Sequence, residues 1–148
     1  MVAMRRGFRY IRHTADAAFF AYGSNLREAI GNSAAALLDM MLDQKKISGL
    51  HGKSKSMALS DRAANREDIV WHILQDILSI VDARKLNAYR FRVGKLHVGK
   101  GSIELSGRLY YNAANEDCSL MSLKAVTPHG LEVETVRGRC RIRVVVDV

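Results

Sequence analysis

The chain has 148 residues and a mass of 16.5 kDa, a size that one compact domain fills. Apolar residues make up 48% and charged ones 26%, which excludes intrinsic disorder and collagen-like repetition, and no unbroken apolar run reaches the roughly 18 residues of a membrane span. Lys and Arg number 23 against 15 Asp and Glu; the excess of +8 divides as +4 in residues 1–74 and +4 in residues 75–148, so it belongs to the whole surface and not to a tail.

The first seven residues are expected to form a flexible arm. Arg5, Arg6, Arg9 and Arg12 gather near the start, but no apolar segment follows as a secretory leader requires, and a cytoplasmic location is expected. Residues 8–12 set Phe8 and Tyr10 against Arg9 and read as a short strand. Residues 17–22, with Phe19, Phe20 and Tyr22, read as a buried strand that Gly23 ends. Asn25 stands three residues before Glu28, a helix-opening pair. Leu26, Ile30, Ala34, Leu37, Leu38 and Met41 then recur at helical spacing and predict an amphipathic helix over 26–42. Residues 43–55 read as a loop and 56–62 as a short strand with Met57 and Leu59 on one face. Asn65 with Asp68 repeats the opening signal before a helix over 66–81.

Beyond Lys85 the period falls to two: Tyr89, Phe91 and Val93 alternate with Arg90 and Arg92. Gly99-Lys100-Gly101 marks a hairpin into a strand over 103–111, and residues 112–118 form a loop. Strands over 120–127, 131–136 and 139–146 complete the chain, with Gly138 in a turn. The pattern predicts an α+β fold in a single domain over 1–148, two helices packed on an antiparallel-dominated sheet. Cys118 and Cys140 are too few for a disulfide framework or a zinc site and are expected as reduced thiols.

Three places could carry chemistry. The tetrad His13-Thr14-Ala15-Asp16 interrupts two apolar strands; it reads either as a turn, where the Asp bonds nearby amides, or as a site. In the final strand Arg137, Arg139, Arg141 and Arg143 fall on one side and Ile142, Val144 and Val146 on the other. That stripe is either a solvated outer face or a track for RNA. Asp147 shares the parity of the arginines, and Val148 adds a main-chain carboxylate. If pairing brought Asp16 beside Asp147 and Val148, three oxygen-bearing groups would converge, a donor set for a hard cation and not for zinc or copper. Lys124 interrupts an apolar strand; it is either an exposed position or a basic group that pairs with a carboxylate or phosphate. No nucleophile elbow, P-loop, dinucleotide-binding glycine set or zinc spacing is present, and His51, His72 and His97 lack partners in register.

Separated blocks together resemble the archease family over nearly the whole chain. RYIRHTAD (9–16) with AYGSNLREAI (21–30) is similar to its HTAD block, strand, aromatic-Gly turn and helix; LKAVTPHGLEVE (123–134) is similar to its KAVT-x-H-G-L strand pair; VVVDV (144–148) is similar to its closing Asp-Ile/Val. The chain departs from the pattern at Phe20, where a polar residue is common, at Pro128, where an aromatic is usual, and in its strong basicity. The resemblance implies a small non-enzymatic accessory protein of the RtcB-type RNA ligase. It would promote guanylylation and repeated turnover of that ligase in tRNA splicing and RNA repair, and meet tRNA or other RNA only indirectly. It also implies a divalent cation, Ca²⁺ above others, held by Asp16, Asp147 and Val148, with Lys124 and His13 facing the partner or a phosphate. Two rival readings stand beside it. A basic RNA-binding module acting without a ligase predicts salt-sensitive RNA affinity independent of Asp16. A small metal-dependent phosphoesterase predicts divalent-dependent hydrolysis that needs Asp16.

Overall fold

Asparagine side chains open both long helices. Asn25 Oδ1 accepts from Glu28 N at 2.9 Å and Asn65 Oδ1 from Asp68 N at 2.8 Å, each satisfying an amide that the first helical turn leaves without a partner. These caps start α1 (Leu26–Met41) and α3 (Arg66–Arg84) in the computed structural model, which describes residues 7–11 and 17–148. Around them run β1 (Phe8–Ile11), β2 (Ala17–Gly23), a short α2 (Gln44–Ser48), β3 (Ser54–Ala63), β4 (Asn87–Gly99), β5 (Ser102–Asn112), β6 (Ala125–Val136) and β7 (Arg139–Asp147). Arg12, His13 and Asp16 lie outside the described residues. So does the expected arm except Gly7, whose carbonyl accepts from Tyr22 N at 2.5 Å.

The strands form two antiparallel sheets, one in the order β1-β2-β7-β6 and one in the order β3-β5-β4. Each long helix touches both. The first packs on β2 and β7 of the four-stranded sheet and on β4 of the other; α3 packs on β6 and on β3 and β5. Being covered on two sides explains why the apolar stripes are fully withdrawn from water: Ile30, Leu37, Ile69, Ile73, Leu74 and Ile77 have no exposed surface. Burial of each such side chain stabilises the fold by about 1.5–3 kcal/mol. The α+β class with antiparallel sheets is as the sequence predicts.

Three details differ from expectation. The loop over 43–55 contains α2, capped by Asp43 (Oδ1 accepts from Lys46 N at 3.0 Å); it buries only Ile47, so it leaves no periodic trace. The expected strands over 120–127 and 131–136 are one strand, β6, that starts at Ala125. Its register against β7 jumps between Thr127 and Glu132, and that bulge carries Pro128, His129 and Gly130. Residues 120–124 are not strand; they follow the end of α1, where Leu120 N donates to Met41 O at 2.9 Å.

Among the described residues no helix is long and apolar enough to cross a membrane.

Candidate functional site

The alternation of β7 sorts its residues as the sequence predicts: Ile142, Val144 and Val146 are buried against the helices, and Arg139, Arg141, Arg143 and Asp147 face outward. Arg137 is a correction. It sits in the β6–β7 turn at φ 53 beside Gly138 at φ 77, off the strand and out of the stripe. Val145 has outward parity yet is only 7% exposed, because the β6 bulge folds over it. Gly130 makes that closure possible: at φ +87 it adopts a left-handed backbone, and a Cβ there would meet Arg143 Nη1 at 3.2 Å and Val145 Cγ2 at 3.4 Å.

The arginine stripe is largely answered within the protein. Arg141 pairs with Glu134 at 2.5 Å and lies 5.0 Å from the centre of the Phe20 ring; Arg9 lies 5.2 Å from the same ring. Arg143 Nη1 donates to Gly130 O at 2.9 Å. Arg139 remains exposed.

The rim where β2, β7 and β6 begin or end holds the other candidates. Ala17, the residue after Asp16, pairs with Val146, the residue before Asp147. On the other side of β7, Ala125 pairs with Asp147, and Lys124 N donates to Asp147 O at 2.8 Å. Lys124 is therefore exposed beside Asp147 but precedes β6, where the sequence pattern places it inside a strand. Asp147 is half-buried and Val148 exposed. Among the described residues the Asp147 carboxylate has no basic group within 4 Å, and no three His, Cys, Asp or Glu side chains gather as a metal cluster. The donors this rim can offer are oxygens, which suits a hard divalent ion and not a thiophilic one.

Sequence reasoning missed the device that holds this rim. β6 is an edge strand, and α3 caps its free backbone groups. Trp71 Nε1 donates to Val126 O at 2.7 Å, and Gln75 Oε1 accepts from Val126 N at 2.9 Å. Further along, Glu67 Oε2 accepts from Val133 N at 3.3 Å. Thr127 Oγ1 ties the strand to its neighbour by donating to Val145 O at 2.6 Å. The one-residue offset of Trp71 from the buried helical stripe was the available signal. The two thiols, Cys118 and Cys140, are free and buried, and burial pushes both above the ordinary thiol range, so neither is a ready nucleophile.

The model of the Archease protein family matches residues 8–148. A protein archease of Methanosarcina acetivorans is 28% identical over 152 residues, covering 100% of both chains. That of Archaeoglobus fulgidus is 30% identical over 141 residues, covering 95% of this chain and 98% of its own. The solution structure of Methanobacterium thermoautotrophicum protein 1598 superposes with a TM-score of 0.79 at 25% identity, over 97% of this chain and 100% of that one. The crystal structure of an archease and possible chaperone from Thermotoga maritima has the same fold at a TM-score of 0.52 and 20% identity, over 93% and 94% of the two chains.

Proposed function

The chain belongs to the archease family, and from that premise we propose that it is an accessory protein of an RtcB-type RNA ligase, promoting the ligase's guanylylation and repeated turnover. The observation that carries the reading is the meeting of strand ends: Ala17 opposite Val146 and Ala125 opposite Asp147 bring three separated sequence blocks to one rim. Those are the blocks by which the chain resembles its family.

Asp16 and Asp147 would hold a divalent cation with their carboxylates, joined by main-chain oxygen of Val148. When bound, such an ion neutralises clustered carboxylates and offers a fixed positive charge to a phosphate-bearing partner. The protein's own residues do the rest. The Lys124 amide fixes Asp147 from one side, and Trp71 and Gln75 keep β6 in register beside it. The exposed Lys124 side chain is free to meet a phosphate or a carboxylate of the ligase.

The test uses limiting ligase, GTP and RNA ends, with turnovers counted as this protein is added. Wild-type protein raises the count above one per ligase; Asp16→Ala and Asp147→Ala abolish the rise while keeping the wild-type circular dichroism. Full stimulation by both variants would end the proposal.

A further inference from the structure

The outward face of the three-stranded sheet carries basic groups that the fold leaves opposed to one another. Phe91, Val93, Leu105 and Leu109 point inward and are buried; the alternate residues point to solvent. On that outer side Arg92 of β4 stands directly across from Arg108 of β5, and Arg90 across from Tyr110. Like charges directly opposite destabilise a strand pair. Among the described residues Arg90, Arg92, Arg108 and Lys95 have no carboxylate within 4 Å. The acidic residue on this face, Glu104, is engaged by Arg62.

Aromatic rings lie among these charges. The register of β4 slips between Ala88 and Arg90, so Tyr89 is turned outward by a bulge, 38% exposed, and its ring lies 6.4 Å from that of Tyr110 at 36°. The Tyr89 hydroxyl is held by Ser54 Oγ, and Arg108 Nε donates to Ser56 Oγ at 2.9 Å, which fixes both side chains before anything docks. Opposite Arg108 on β3 stands Ala58, so the floor between the long side chains is low. A hollow of about 420 Å³ adjoins the face past Lys95 and Ser106; Arg62 and the carboxyl groups of Glu104 and Asp61 also line it, so the basic surface ends there.

We propose that this face, through Arg90, Arg92, Arg108 and Lys95 with Tyr89 and Tyr110, binds single-stranded RNA. Guanidinium groups that no carboxylate neutralises among the described residues take phosphates. Outward tyrosine rings take unstacked bases, which a duplex keeps stacked within itself and an acidic protein surface does not supply. Serine hydroxyls along the floor are partners for the ribose 2′-hydroxyl. The face shares no residue with the rim at Asp147, so each can fail without the other.

The full chain is titrated into a fluorescein-labelled oligouridine of about 12 nucleotides at several salt concentrations, and anisotropy is read. Wild-type protein binds, with an affinity that falls as salt rises. The double variant Arg92→Ala/Arg108→Ala weakens binding by about tenfold or more and flattens the slope of log K against log salt by about 1.4, roughly 0.7 for each phosphate no longer neutralised. Tyr89→Ala weakens binding by about tenfold with the slope unchanged. Arg92→Lys/Arg108→Lys keeps the slope. Wild-type circular dichroism in all variants excludes unfolding. Binding that the double variant leaves intact would overturn the proposal. A duplex bound as tightly as the single strand would overturn it too. Displacement of the RNA by a polyglutamate of matched charge would assign the face to an acidic protein instead.

Discussion

On the four-stranded sheet, Arg141 reaches Glu134 at 2.5 Å and Arg143 reaches the Gly130 carbonyl at 2.9 Å, while Arg9 and Arg141 both lie against Phe20. On the three-stranded sheet, Arg92 faces Arg108 across a strand pair, and among the described residues no carboxylate lies within 4 Å of either. The same contrast holds on the helix-facing sides. The four-stranded sheet half-buries Tyr10 with its hydroxyl donating to Asp39 at 2.7 Å, whereas the three-stranded sheet sets Asp61 of β3 against Asp76 of α3, carboxyl to carboxyl. The four-stranded sheet answers Arg9, Arg141 and Arg143 from within, while the three-stranded sheet, beside its Arg62–Glu104 pair, leaves like charges opposed. A stripe of arginines in a sequence therefore says little about a partner until the groups opposite each one are known.

The largest effect expected from perturbing this contrast lies at Asp61. Burial, then the hydrogen bond and charge of Asp76, push its carboxyl from 3.8 up to about 7. Among the described residues Asp61 Oδ2 is buried with no hydrogen-bond donor, and the carboxyl of Asp76 is its titrating neighbour. The folded state thus keeps a proton that the unfolded chain releases near pH 4. The stability this proton contributes is fully present below about pH 4 and is lost as pH rises through about 7. Asp61→Asn should remove that dependence and raise stability at pH 8 by on the order of 1 kcal/mol, discounted for the partial exposure of the pair. Urea denaturation of both proteins at pH 5 and pH 8 reads it; parallel pH profiles would break the contrast.

A smaller effect separates the outer faces. Glu134→Ala should cost about 0.2–1 kcal/mol, because it leaves Arg141 without its partner. Arg92→Ala should cost nothing or stabilise by a few tenths of a kcal/mol, because it relieves a like-charge pair. Thermal unfolding midpoints give the order, and an Arg92→Ala loss equal to that of Glu134→Ala would show the two faces to be alike.

Much of the fold could be read from local pattern. The helical stripes of α1 and α3 and their Asn25 and Asn65 caps act within a few residues, and they appear where the sequence puts them. Long-range pairing could not be read that way: nothing local says that β3, β5 and β4 leave the other four strands to form their own sheet. Bulges hid two features. Pro128 and Gly130 looked like a break between strands and are a fold-over within β6. Tyr89 looked like an inward partner of Phe91 and is turned out by a slipped register. For the candidate site, residue types and parity gave Asp147, while the capping of β6 by Trp71 and Gln75 depends on how α3 packs, which no spacing encodes.

The most direct test of the rim at the end of β7 is a calorimetric titration of the full chain with Ca²⁺, wild type against Asp147→Asn. The account predicts one ion per wild-type chain and an affinity at least about tenfold weaker in the variant, since removing an oxygen ligand removes a share of the ion's coordination. Equal binding by the two proteins, or none by the wild type, would contradict it.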